Sequence, residues 1–288
     1  MAVALGLLAA ISYGTADFLG GLGSKRNPMV RVVLVSQVVG ATVYVAALPL
    51  LPEGNFTRAA WLWGGLSGLA GAVGVGFLYR GLARGRMSVV APVTAVIAAV
   101  MPVAFGLATG ERPSVLQLVG VAVALPAVAL VSRGPEPADT PSAAGSGVVV
   151  TASRAGLVDA VVSGIGIGLF FIVISRAGEN SGPWPLVANR VVSITVFAVA
   201  ALATRTSVRP APGSVSLVAG AGVLDVTANL LYLLGTRAGL LSIVAVLTSL
   251  YPGATVVLAR MVLGERLAAA QRVGLALALL GVAAMGAG

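Results

Sequence analysis

Long apolar runs alternate with short polar breaks along the whole chain. The runs cover residues 3–22, 29–51, 60–79, 87–108, 114–132, 155–175, 184–204, 214–235, 239–260 and 270–287. Each approaches the 20 or so residues that a helix needs to cross a hydrocarbon layer of about 30 Å. The breaks carry turn chemistry, as in Lys25-Arg26-Asn27-Pro28, Pro52-Glu53-Gly54-Asn55, Gly182-Pro183 and Arg209-Pro210-Ala211-Pro212-Gly213. Trp61, Trp63 and Trp184 stand at run ends, where indole rings favour the headgroup zone. The pattern predicts an all-α membrane protein of ten transmembrane helices. The first run lacks a basic flank and a small-residue cleavage site, so it is expected to be a retained span rather than a signal peptide.

One stretch breaks this rhythm. Residues 133–153 contain Gly134-Pro135-Glu136-Pro137 and Gly145-Ser146-Gly147, a composition suited to a flexible linker. The expected organisation is therefore a first repeat at 1–132, a linker at 133–153 and a second repeat at 154–288.

The two halves are related. Gly110-Glu111-Arg112 recurs as Gly264-Glu265-Arg266, and the same offset carries Gln117 to Gln271, Gly120 to Gly274, Ser88 to Ser242 and Thr94 to Thr248. About half of the positions in 110–129 match 264–283, and an adjustment of one residue pairs Leu78-Tyr79 with Leu231-Tyr232. Five spans per half is odd, so the second half enters the membrane from the opposite face. The result is two inverted repeats around a central cavity, an arrangement that places a solute site near the midplane.

Composition agrees with a lipid environment. Hydrophobic residues make up 58% of the chain and charged residues only 9%, too few to cover a soluble globule. The net charge of +9 does not point to nucleic acid, because the Arg residues are scattered between apolar runs rather than gathered on a basic face. Cys and His are both absent, which removes thiol nucleophiles, imidazole bases and the usual zinc and haem sites. No cofactor or metal is expected. Most Lys and Arg lie in the first, third, fifth, seventh and ninth loops, a bias that would put both termini outside.

These features resemble the drug/metabolite transporter superfamily, in its EamA-like branch. The resemblance rests on the paired Gly-Glu-Arg turns, Ile11-Ser12-Tyr13-Gly14 in the first span, Pro92 in the fourth and Pro252 in the ninth. It covers both halves outside 133–153 and implies ten helices around a cavity and export of amino acids or other small metabolites. It also favours termini in the cytoplasm, opposite to the charge bias. The expected protein is a multi-pass secondary transporter of the bacterial inner membrane, monomeric or homodimeric, with protons as a candidate coupling partner. The alternative, a membrane-embedded enzyme acting on a lipid-linked substrate, needs a clustered acid/base or metal constellation that nine acidic residues, mostly in turns, do not supply.

Polar residues inside spans are the candidates for solute contact, since ionisable groups in hydrocarbon are costly. Asp225 and Asn229 lie four apart in the eighth span and so share a helix face, whereas the equivalent stretch of the first half, Gly68 to Gly76, has no ionisable group. Asp17 stands in the last third of the first span, one turn beyond Tyr13. Tyr79, Tyr232, Thr248 and Tyr251 complete the expected substrate-binding set. Arg190, two turns into the seventh span, is expected to pair with a carboxylate of a neighbouring helix, with Gln37 at its place in the second span. Asp159 is expected to be solvated at the interface. Pro92, Pro102 and Pro252 predict kinks in the fourth and ninth spans. Glu111 and Glu265 are expected to serve the N-termini of the helices that directly follow them.

Overall fold

The computed structural model describes residues 1–51, 53–84, 87–133, 154–264 and 266–288; of the side chains of residues 79, 82–84, 87, 88 and 179 nothing is said. Among the described residues the chain is all-helical. The helices are α1 (Ala2–Ser24), α2 (Met29–Ala47), α3 (Arg58–Arg84), α4 (Met87–Ala108), α5 (Val115–Val131), α6 (Arg154–Ser175), α7 (Trp184–Ala203), α8 (Val215–Ala238), α9 (Leu241–Thr248), α10 (Tyr251–Leu263) and α11 (Ala269–Ala287). The pair α9 and α10 together make one crossing, Leu241–Leu263. Among the described residues nine segments are long and apolar enough to span a bilayer, and the 17-residue α5 is a shorter apolar helix. At 1.5 Å per residue α5 reaches about 26 Å, near the lower limit for a crossing. The expected linker lies almost wholly outside the described residues.

The principal helix contacts are kept when the halves are exchanged. Helix α3 lies on α6 and α7, and its counterpart α8 lies on α1 and α2. Helix α4 packs on α6, as α9 and α10 pack on α1. The pairs α2–α7 and α5–α11 map onto themselves. Principal contacts conserved under this exchange describe a pseudo-two-fold, and its self-mapping pairs lie on the axis.

Lipid tails are as apolar as leucine, so helices in a bilayer gain from close backbone approach at small residues rather than from hydrophobic expulsion. Gly68 of α3 lies so close to α7 that an added Cβ would overlap the backbone of Asn189. Gly222 of α8 lies equally close to α2, against the backbone of Ser36. These two contacts are symmetry equivalents. Between α1 and α10, a Cβ on Gly14 would overlap the Tyr251 carbonyl. Short polar side chains fasten further crossings: Ser163 Oγ donates to the Gly74 carbonyl at 2.8 Å, and Thr255 Oγ1 to that of Gly14 at 2.9 Å.

Two expectations, those for Asp159 and Glu111, need correction, and the two proline-bearing crossings differ. Helix α4 runs unbroken through Pro92 and Pro102, whereas the ninth crossing is interrupted at Ser249–Leu250, just before Pro252. Only one half carries the break. Asp159 is not solvated: it is 2% exposed and its Oδ1 accepts from Arg80 Nη2 at 2.6 Å and Nε at 3.0 Å. Glu111 does not serve α5. That helix is closed by its own capping box, with Ser114 Oγ accepting from the Gln117 amide and Gln117 Oε1 from the Ser114 amide. Glu111 instead crosses to the other half and accepts from the amides of Leu241 at 2.6 Å and Ser242 at 3.0 Å, at the N-terminus of α9. Gly110 (φ 99°) and Gly264 (φ 68°) take the left-handed conformation expected of helix-ending glycines. Glu265 lies outside the described residues.

Replacing Gly68 or Gly222 with Ala should lower the melting temperature in detergent, because overpacking against backbone costs about 1–3 kcal/mol. Gly76→Ala, with nothing within 4 Å of the added carbon, should be neutral or slightly stabilising. Equal melting temperatures for all three variants would contradict the packing described. Because the chain has no Cys, single cysteines report topology directly. Cysteines at Lys25 and Arg205 should be labelled by an impermeant reagent from one membrane face, and those at Arg58 and Arg112 from the other.

Candidate functional site

The close approaches of α3, α8 and α1 to their partners also locate the polar groups. Seating Gly222 against Ser36 brings Asp225, one turn further along α8, toward Gln37 of α2. Seating Gly68 against Asn189 does the same for α7, and Asn189 Nδ2 donates to Ser67 Oγ at 2.8 Å. Seating Gly14 against the start of α10 places Tyr13 beside Tyr251, their ring centroids 6.3 Å apart and edge to face. Helix regularity then turns Asp17, one turn on, toward the same space.

The centre of this arrangement is a buried ion pair. Arg190 is 3% exposed, and its Nη2 lies 2.7 Å from Asp225 Oδ2. Its Nη1 donates to Gln37 Oε1, which also accepts from Ser193 Oγ at 3.2 Å. Arginine suits this position because its charge persists in a low dielectric and its planar fork serves two acceptors at once. Asp225 differs from its partner in exposure, with 30% of its side chain accessible. Asn229 Nδ2 donates to the Asp225 backbone carbonyl at 2.6 Å, fixing the amide one turn along the same face.

Around the pair lies a cavity of about 150 Å³. Tyr13, Asp17, Gln37, Arg190, Asp225, Asn229 and Tyr251 form its polar side. The opposite wall comes from α3 and α6: Gly68, Gly71, Val75 and Leu78 from one, Ile167, Phe170 and Phe171 from the other. Phe171 is held from behind by Tyr232, whose ring centroid lies 4.6 Å away and whose hydroxyl donates to the Phe171 carbonyl at 3.0 Å. The polar side draws mainly on α1 and α8, the apolar side on their symmetry mates α6 and α3. The offset relating Gly110 to Gly264 sets Asp225 against Gly71 and Asp17 against Phe171. The cavity sits on the pseudo-axis, yet its chemistry is one-sided.

Of the residues singled out from sequence, Asp225, Asn229, Asp17, Tyr13 and Tyr251 are brought together at this cavity. Tyr232 and Thr248 are fully buried and are not among its lining residues. The side chain of Tyr79 lies outside the described residues. Arg190 has the carboxylate partner expected of it. The aromatic wall was missed, because Phe170 and Phe171 stand in an uninterrupted apolar run where nothing marks them; the pairing of two of the seven Phe residues is the one available cue. Among the described residues no three acidic groups gather as metal ligands.

Comparison with curated proteins gives no match. Among solved structures, one crystal structure aligns with a TM-score of 0.76 at 18% identity, covering 98% of this chain and 95% of that one. At that identity the likeness concerns the fold. The EamA-like transporter family matches twice, over residues 1–133 and 154–287. A match to nearly the whole chain, once per half, joined to an all-helical pseudo-two-fold fold, makes this chain a member of the EamA-like transporter family, a multi-pass membrane transporter rather than an enzyme.

Proposed function

We propose that this transporter is a secondary carrier that exports a small amphipathic metabolite, an amino acid or related compound, across a bacterial inner membrane by alternating access. Residues 1–132 and 154–288 are its two moving units, joined by 133–153. The observation that carries the reading is the on-axis cavity with a buried Arg190–Asp225 pair on one side and an aromatic wall on the other. A cavity of about 150 Å³ lined by apolar side chains binds one benzene ring in a soluble protein core, so this one takes a solute with a single ring or a short aliphatic group. The polar side meets the solute's charged end.

Alternating access needs a site that both repeats touch, so that rocking one against the other changes which face it opens to. Here α1, α2 and α3 contribute from the first half and α6, α7, α8 and α10 from the second. The interruption at Ser249–Leu250 adds a point where the ninth crossing can bend while its ends stay packed, and backbone freed there lies within protein rather than against lipid.

The ion pair allows structural and functional roles to be separated. Asp225→Asn alone leaves Arg190 buried without its counter-charge, which costs about 3–5 kcal/mol, so both the melting temperature and solute counterflow in proteoliposomes should fall. The double variant Arg190→Gln/Asp225→Asn should recover most of the melting temperature while counterflow stays low. Recovery of both would make the pair a purely structural element and remove it from the solute site.

A further inference from the structure

Among the described residues three formal charges face the cavity: Asp17, Asp225 and Arg190. Arg190 and Asp225 neutralise one another at 2.7 Å. Asp17 is left over, so the formal charges around the cavity sum to one negative in the interior of the membrane. An uncompensated ion in such a setting is expensive, and the expense is relieved when a positive charge occupies the same space.

The two signs of charge are presented very differently. Arg190 is 3% exposed, with one guanidinium nitrogen committed to Asp225 and another to Gln37. A carboxylate entering the cavity meets a guanidinium that is 3% exposed and already paired with Asp225, and competes with that carboxylate for it. Asp17 is exposed at the cavity and makes no ion pair or side-chain hydrogen bond among the described residues. It lies close enough to Asp225 for their charges to interact. An ammonium group therefore meets one open carboxylate and, beside it, the accessible part of a second. The Asn229 amide donates one of its two hydrogens to the Asp225 carbonyl, and its Oδ1 is a further acceptor. Tyr13 and Tyr251 stand beside Asp17, and aromatic ring faces attract cations. Across the cavity, Phe170 and Phe171 offer only hydrocarbon.

We infer that the cavity selects an organic monocation, a protonated amine bearing one apolar group and no carboxylate, with the ammonium held at Asp17 beside Asp225 and the apolar group against Phe170 and Phe171. Zwitterionic amino acids and organic anions bind less well, since their carboxylate faces the two carboxylates of the cavity with a single, already paired guanidinium to offset them. This rests on the carrier reading above for transport and puts an amine, in place of an amino acid, as the favoured amphipathic solute; the binding selectivity can be measured without any flux.

Calorimetric titration of the purified full chain in detergent at pH 7 with 2-phenylethylamine, phenylalanine and phenylacetate makes the test, because the three share a ring and differ in charge. The amine should bind at least tenfold more tightly than either of the others. Asp17→Asn should weaken amine binding by roughly 10- to 100-fold, the range for a lost charge-assisted hydrogen bond, while Asp17→Glu retains it. Both variants should melt near the wild-type temperature, because Asp17 holds no other element in place. Phenylacetate or phenylalanine binding as tightly as the amine would overturn the inference, as would undiminished amine binding by Asp17→Asn or none by the folded wild type. Amine binding with no counterflow of any solute would leave the cation site standing and sink the carrier reading. Counterflow of phenylalanine without amine binding would do the reverse.

Discussion

A bilayer offers no hydrogen-bond partner to a backbone amide and no hydrophobic drive to bring helices together. The first condition forces every crossing to be helical. The second leaves cohesion to surfaces smooth enough for backbones to touch. In this chain the closest approaches fall between halves rather than within them: α3 on α7 through Gly68, α8 on α2 through Gly222 and α1 on α10 through Gly14. The fold is held mainly by what one repeat offers the other. Glu111 extends that dependence to the membrane face, since it closes the N-terminus of α9 rather than a helix of its own half.

The same contacts that join the repeats also build the cavity, which is why its polar groups converge from five helices, α1, α2, α7, α8 and α10. Burying Arg190 is tolerable because Asp225, Gln37 and Ser193 surround it with acceptors and a hydroxyl. The pair is therefore both a cost and a reference point: it fixes the orientation of α7 against α8 and α2 while contributing no net charge. What the solute senses is set by the groups the pair leaves uncommitted. Phe171, braced by Tyr232, supplies the rigid opposite wall.

Much of this was legible in the sequence. Run length and the scarcity of charge indicate the crossings, and matched Glu, Arg, Gln and Gly in an otherwise uniform apolar background reveal the duplication. A lone Arg deep in a span demands a carboxylate, and Arg190 has one. Which carboxylate is a tertiary fact, because Asp225 lies in a different helix and meets Arg190 only when Gly222 has seated α8. The reading of Glu111 went wrong locally. The dipole argument assigned it to the nearest helix N-terminus, although Ser114 and Gln117, spaced as a capping box, had already satisfied that end. Reading the box first would have freed Glu111 for a distant partner. Asp159 was misplaced for a similar reason: its depth was judged from its own span, while Arg80 of α3 reaches down to it. The phenylalanine wall carries no signal at all, since burial against a cavity and burial against lipid ask for the same side chains.

The one-sidedness of the cavity has a consequence for how such a protein can be assembled. When two identical subunits meet on a two-fold axis, every residue near that axis occurs twice. An Asp at the position of Asp225 would bring a second carboxylate in place of Gly71, and an Arg at 190 would bring another in place of Gln37. Six charges would then crowd a space that accommodates three, and a distinct apolar wall could not exist. Covalent fusion removes this obligation. One copy is free to become smooth scaffold while the other specialises, and a binding site with a front and a back becomes possible on an axis that would otherwise forbid it.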